Sequence, residues 1–268
     1  MSDLPVMSDF PRVTRVRHDT KRRRLTVARV DRLAPKMVRV VLRGEDLPGF
    51  TSLGFDDHVK LFFPEQAMRD FTPRRYDADA GELWIDFYLH EAGPATSWAL
   101  QVAVGQELAV GGPRGSSVIS LEGIDVHVLV GDETALPAIG RRLEELPPQV
   151  RALVVLDAEE EVHGYPLASA AQLEVVKVPP GDPANRADRI IEVLRNLHYP
   201  TGSCFTWVAA ESHVARAIRR YLMSERGIDK RWIKAAGYWR HGAVGTHETI
   251  TDEEGARDGI EPRISVAH

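Results

Sequence analysis

The chain of 268 residues has a single cysteine, Cys204. No intramolecular disulfide is possible, and nothing calls for an oxidising compartment. No run approaches the roughly 20 apolar residues that span a bilayer. The opening "MSDLPVMSDFPR" lacks a basic segment followed by an apolar run, so it does not read as a secretory signal. Positive charge is not in surplus: 34 Lys and Arg stand against 39 Asp and Glu, a formal net charge of −5. A whole-surface attraction to nucleic acid or anionic lipid is not expected, which leaves room for a local basic patch. His213, His241 and His247 have no partners at ligand spacing, so no metal site is expected. No P-loop and no G-x-S-x-G occurs. The expected location is the cytoplasm.

What is present falls into two patterns. Up to about residue 120, short segments such as "LTVARVDRL", "MVRVVLRG", "HVKLFF" and "LWIDFYLH" alternate or are β-branched and are bounded by Gly, Pro or Asp. They predict a small antiparallel barrel, interrupted by one helix in "GPATSWALQVA". "KRRR", residues 21–24, reads as a solvated edge before the first strand. After residue 122, buried-strand patterns ("VHVLVGD", "RALVVLD", "LEVVKVP", "CFTWVAA", "RWIKAAGYW") alternate with amphipathic helices, including one with Leu136, Ile139 and Leu143 on one face. That alternation predicts a parallel sheet wrapped by helices. The expected class is β + α/β: an N-terminal antiparallel β-barrel over residues 1–121, a Rossmann-like α/β domain over 122–245, and a polar tail over 246–268, mobile or hugging the surface.

Four stretches could carry chemistry. "RDFTPRRYD", residues 69–77, gathers arginines, aromatic rings and Thr72. Arginine suits phosphate, a ring stacks on a flat heterocycle, and a hydroxyl can donate and accept. A planar, phosphate-bearing cofactor and a solvated loop both fit. In "LHEAGPATSWA", His90 precedes a helix start bearing Thr96 and Ser97, which suits a pyrophosphate or an ordinary capped helix. "VLVGDETALPAIG" places Gly131 at the end of a strand before a helix, where an open α/β sheet binds ligands. It is not G-x-G-x-x-G, and Asp132 and Glu133 would repel phosphate. In "AAGYWRHG", Tyr238, Trp239 and Arg240 end the last strand, covering a ligand or closing the core.

In order, these segments resemble the siderophore-interacting proteins, flavin-dependent ferric-siderophore reductases of the ferredoxin–NADP reductase superfamily. The resemblance runs from about residue 24 to 245 through "HVKLFFP", "RDFTPR", "IDFYLHEAGPATSWA", "GGPRG", "GDETALPAI" and "GYWRHG". It implies FAD, with Arg69 on a phosphate, Phe71 stacked on the isoalloxazine and Thr72 at its N5 edge as the catalytic residue. It further implies His90 near the adenine or ribose and Ala95, Thr96 and Ser97 on the pyrophosphate. Arg74 is assigned to the cofactor or the acceptor, and Tyr238, Trp239 and Arg240 to the pocket border. Gly131, Asp132, Glu133, Thr134 and Ala135 would receive the nicotinamide of NADH or NADPH. A ferredoxin is the alternative donor. Lys60, Arg75, Lys234 and Arg240 are the expected docking cations for an anionic ferric siderophore. Two departures stand out: Phe71 where the family commonly has tyrosine, and Ala210 before Glu211 where it usually has glycine. The acidic "LDAEEEVHG" after the second parallel strand tilts the donor towards NADH. Another flavin reductase of the superfamily, or a non-enzymatic siderophore-binding protein, are the rival readings.

Overall fold

The computed structural model describes residues 10–64, 67–90, 93–200, 202–242 and 248–251. Its first part holds β1 (Val13–Arg17), β2 (Arg22–Ala34), β3 (Met37–Arg43), β4 (Val59–Phe62), β5 (Met68–Phe71), β6 (Pro73–Asp77), β7 (Glu82–Tyr88), α1 (Pro94–Gln101), β8 (Glu107–Gly111) and β9 (Gly115–Ile119). Seven of these strands form one antiparallel sheet in the order β5-β4-β8-β2-β3-β7-β6. Its two edge strands, β5 and β6, are separated only by Thr72. The sheet must therefore curl until its edges meet there. Alternation drives the curl's interior: Leu25, Val27, Val40, Leu61, Ile85 and Val110 are buried inside it. Helix α1 closes it, burying Trp98 against Phe63 and Phe87.

Residues 120–125 lead to the second sheet. It contains β10 (Val126–Asp132), β11 (Arg151–Asp157), β12 (Gln172–Lys177), β13 (Cys204–Glu211), β14 (Ile233–Trp239) and β15 (Glu248–Thr249), in the order β12-β11-β10-β13-β14-β15. The first five are parallel and β15 is antiparallel. Helix α2 (Leu136–Glu145) packs Ile139 and Leu143 on one face of the sheet, in a core that also takes Met37 from β3 and Phe55 from the connection between β3 and β4. Helices α3 (Arg186–Asn196) and α4 (Ser212–Ser224) cover the other face through Ile190, Leu194, Ile218 and Leu222. Strand β10 is buried at every position because both faces are covered. The order reverses on either side of β10, which puts the ligand crevice of such a sheet at its carboxyl end.

Three expectations need correction. "KRRR" does not precede the first strand: Arg22–Arg24 belong to β2, Arg23 is buried, and β1 comes earlier. "LEVVKVP" is not a buried strand, since β12 lies at the sheet edge and exposes Val175. The polar C-terminal stretch is not wholly unpatterned: Glu248 and Thr249 pair with Gly237 and Ala236, and Ile250 is buried. The rest of that stretch lies outside the described residues.

Candidate functional site

The curl brings Arg69 on β5 beside His90, just past β7. Arg69 donates only to the Met68 carbonyl, at 2.7 Å, with no carboxylate in reach among the described residues. Partial burial, and then the Arg69 charge, lower the His90 pKa. The His90 ring packs over Gly93, where a Cβ would meet its Cε1 at 3.5 Å. Gly93 caps α1 with φ of 138°, which favours glycine, and offers no side chain to the helix. The first turn of α1 contains Pro94, Thr96 and Ser97 and no acid; Ser97 N donates to the Gly93 carbonyl, which leaves the N–H groups of Ala95 and Thr96 and the positive dipole end for an outside anion. Thr96 is buried and its Oγ1 has no hydrogen-bond partner among the described residues. A buried orphan hydroxyl at a helix start asks for a ligand. Phe71, half-buried, completes this wall, its ring 4.5 Å from Phe87.

Thr72 is buried and its side chain meets the Tyr238 hydroxyl from β14. Burial, and then the charge of Asp56, push the Tyr238 pKa well above the usual range, so the phenol stays neutral. The neighbouring contacts join the two sheets. Asp56 accepts from Trp207 Nε1 at 2.9 Å and pairs with Lys234 at 2.7 Å. Arg141 on α2 donates to Ser52 Oγ at 2.8 Å and to the Pro73 carbonyl at 3.0 Å.

At the carboxyl ends of the parallel strands lies a set of buried carboxylates. Asp132 accepts from Thr134 N at 3.0 Å, Trp239 Nε1 at 2.8 Å and Glu211 N at 3.2 Å. Glu211 caps α4 by accepting from His213 N and Val214 N. Burial, and then the Asp132 charge, raise the Glu133 pKa to about 7. Arg186 supplies the counter-charge, 2.6 Å from Asp157, 3.7 Å from Glu133 and 3.8 Å from Asp132, and Arg189 lies 3.0 Å from Asp157. Glu159 takes Lys36 at 2.7 Å and the Tyr88 hydroxyl at 2.8 Å, tying this cluster to the curled sheet. Two surface clefts, of 280 and 320 Å³, open at the opposite, amino ends of the strands, away from all of these groups.

Comparison with known proteins decides among flavin folds. A family described as "Siderophore-interacting protein" matches residues 124–242, and the "Siderophore-interacting FAD-binding domain" matches residues 26–68 and 65–117. A protein of Escherichia coli K12 named NADPH-dependent ferric-chelate reductase is 36% identical over 87% of this chain and 99% of its own. The ferric vibriobactin reductase ViuB of Vibrio cholerae is 31% identical over 82% of this chain and 90% of its own. A solved siderophore utilization protein from T. fusca superposes with a TM-score of 0.79 at 34% identity, covering 88% of this chain and 98% of that one. The chain belongs to the siderophore-interacting protein family.

The expected antiparallel flavin sheet followed by a Rossmann-like sheet is the fold observed, and FAD is the cofactor. This member of the family fits FAD at the wall just described. Arg69 without an acid, a carboxylate-free α1 start, the orphan Thr96 hydroxyl and the half-buried Phe71 ring are what an anionic tail and a flat ring require. Ala95 and Ser97 lie on the same helical turn.

Other assignments change. Arg74 does not face the cofactor or an acceptor. It is buried, donating to Tyr165 at 3.2 Å and to Glu144 at 3.0 Å, because the register of β6 shifts between Pro73 and Arg75 and breaks the alternation there, leaving Arg74 buried beside Pro73. Arg75 points outward, pairing with Asp77 at 3.1 Å above the Trp84 ring. Lys60 and Lys234 are not free docking cations: Asp70 holds the first at 2.8 Å and Asp56 the second. Arg240 is exposed where β14 ends. The turn from Gly131 to Ala135 is not an open anion site, since Thr134 N and Oγ1 both serve Asp132. No Cβ fits at Gly131, where it would stand 2.5 Å from that of Ala135. Asp157, Arg186, Arg189 and Asp56 were missed. The acidic run beginning at Asp157 was visible, but nothing local marks Arg186, which comes from α3.

Proposed function

We propose that this chain is an FAD-dependent ferric-siderophore reductase that draws on NADPH or NADH and releases iron from its chelate as Fe(II). The observation that carries it is the anion seat of Arg69, His90 and the acid-free start of α1, beside Phe71, in a chain so close to a named ferric-chelate reductase. When bound, FAD supplies the redox chemistry, accepting an electron pair as hydride and releasing electrons singly.

The chain's own residues bind and orient. Arg69, Thr96, Ser97 and the N–H groups of Ala95 and Thr96 hold the pyrophosphate, with His90 beside the nucleoside half. Phe71 stacks on the ring. Thr72 sits at its reactive edge and, with the neutral Tyr238 hydroxyl, gives that edge hydrogen bonds without charge. Trp239, fixed by Asp132, borders the pocket. Arg240 is the exposed cation left for an anionic chelate. Hard oxygen ligands hold Fe(III) better than Fe(II), so one-electron reduction loosens the complex without a protein acid or base.

This reading divides the chain into an FAD unit (1–121), a nicotinamide unit (122–245) and a tail (246–268). It puts the protein in the cytoplasm, with a ferredoxin as alternative donor. Among the described residues no helix is long and apolar enough to cross a membrane. Arg186 and Arg189 lie near the end of the second parallel strand, but Asp157 holds both, so the tilt towards NADH stands.

The test is anaerobic. FAD-loaded protein is reduced with NADPH or NADH and mixed with ferric catecholate and ferric hydroxamate siderophores, while oxidised-flavin absorbance is followed. Absorbance should return and Fe(II) should appear in a trapping chelator. If no ferric siderophore restores it, the reading fails.

A further inference from the structure

Behind the Thr72–Tyr238 contact lies a charged pair, Asp56 and Lys234. Asp56 comes from the connection between β3 and β4 and is buried. It accepts from Trp207 Nε1 at 2.9 Å, and its two oxygens lie 2.7 and 2.9 Å from Lys234 Nζ. Trp207 on β13 stands opposite Lys234 on β14 in the parallel register. One carboxylate from the first part of the chain thus holds two adjacent strands of the second. Lys234 and Tyr238 lie four positions apart on β14, so both side chains stand on the face towards Asp56. The Trp207 ring meets the Tyr238 ring edge-on, with centroids 5.9 Å apart, and the Phe55 ring edge-on at 5.4 Å. Tyr238 then carries its hydroxyl to Thr72.

Three carboxylates bear on that hydroxyl: Asp56 first, then Asp57 and Asp132. Asp57 accepts from Ser52 Oγ, Gly54 N and Ser116 Oγ, all of them neutral donors. Asp132 belongs to the cluster around Arg186 on the far side of Trp239. Asp56 is the one whose counter-ion, Lys234, comes from the strand that also carries Tyr238. The packing here does not call for charge. Phe55 and Trp207 belong to the apolar core shared by the two parts, and a buried ion pair is often no more stabilising than apolar residues of the same shape. In so dry a setting a single charge acts strongly on any neighbour whose own charge changes.

We propose that Asp56 is a positioning residue for the reaction, and that with Lys234 it sets the reduction potential of the bound flavin. The carboxylate disfavours the electron-rich reduced ring, and the ammonium favours it. The proposal rests on the reductase reading above, which puts the reactive edge of the flavin at Thr72. A carboxylate that lowers the potential also extends the reach of the protein to chelates that hold Fe(III) more tightly.

The experiment compares FAD-loaded wild type with Asp56→Asn, Lys234→Met and the double variant at pH 8. Each is titrated anaerobically against a reference dye of known potential while flavin absorbance is followed. Asp56→Asn should raise the midpoint and Lys234→Met should lower it. Each shift should be about 10-fold in the reduced-to-oxidised ratio, which is about 30 mV for a two-electron couple. The double variant should return close to the wild type, and Asp56→Glu, which keeps the charge, should stay there. Chemical denaturation of the FAD-free chain reads any purely structural share. A pair that only ties the sheets together would lower stability in both single variants and leave the midpoint in place. The proposal is overturned if the single variants do not move the midpoint, or move it in the same direction. Should Asp56→Asn fail to bind FAD, Lys234→Met still decides, since its site is partly exposed and an unmoved midpoint there is enough to overturn the proposal. Reoxidation of the dithionite-reduced wild type by a ferric siderophore tests the reductase reading separately, because the midpoint titration involves no iron.

Discussion

Arg69 and Arg74 stand five positions apart in one basic cluster, and their surroundings give them opposite work. Arg69 meets no carboxylate among the described residues, whereas Arg74 commits its guanidinium to Glu144 and Tyr165. Arg74 is buried but Glu144 is exposed, so the ion pair itself adds little, and the cost of losing the guanidinium is that of leaving its buried hydrogen-bond partners unsatisfied, about 1–3 kcal/mol. Arg74→Ala should therefore lower the stability of the FAD-free chain by that order in chemical denaturation. Arg69→Ala should leave that stability nearly unchanged and weaken FAD binding by about 1.5–3 kcal/mol, the worth of a charged hydrogen bond, roughly 10- to 100-fold in Kd. Flavin fluorescence titration checks the second value. If Arg74→Ala instead weakens FAD binding with no loss of stability, its assignment to the interior is wrong.

Helix α1 shows how an element can be kept slightly unstable for its ligand. Its start has neither an acidic residue nor a side-chain cap, and Thr96 buries a hydroxyl with no partner among the described residues. Ser97→Asp would complement the helix dipole by about 0.3–1 kcal/mol. The FAD-free protein should then melt slightly higher, while FAD affinity drops at least about 10-fold through repulsion of the pyrophosphate. Opposite signs in the two measurements are the signature, and a helix that merely lacks a cap would show only the first. The contrast with α4 is direct, since Glu211 already fills that helix start. A carboxylate supplied by the chain closes one anion site, and its absence leaves the other open.

Between the two parts of the molecule, ion pairs stand beside the shared apolar core. Lys36–Glu159, Lys234–Asp56 and Arg74–Glu144 all cross from the curled sheet to the α/β layer. Glu133 sits behind them with a pKa raised from 4.5 to about 7, by burial first and by Asp132 next. A raised carboxyl pKa means that the folded state holds the proton longer than the unfolded chain. The associated stability is complete below the ordinary value and is lost as pH rises through about 7. Glu133→Gln should accordingly match the wild type at about pH 4 and exceed it by up to about 3 kcal/mol at about pH 8. Denaturation at the two pH values checks this, and a difference of equal size at both would rule out Glu133 as its source.

The order of strands and helices was legible because each pattern is local: alternation with a period of two before residue 120, and apolar runs alternating with helical faces after it. The helix at α1 was legible too, since Gly-Pro followed by hydroxyls is a statement about one turn, but those residues fitted an ordinary capped helix as well as an anion site. Three kinds of fact were not. Which arginine of "RDFTPRRYD" turns inward depends on the curl that seats β6 against α2. Whether a lysine is free depends on carboxylates brought from afar, as Asp56 is brought to Lys234. The acidic cluster at Asp132 becomes tolerable only because α3 delivers Arg186 to it. Local chain chemistry determined the elements, and the order of the motifs, through the family they resemble, gave the cofactor. Long-range packing decided which charges remain unpaired, because a charge is neutralised by whatever stands a few ångströms away in space, and its sequence neighbours have no privileged part in that.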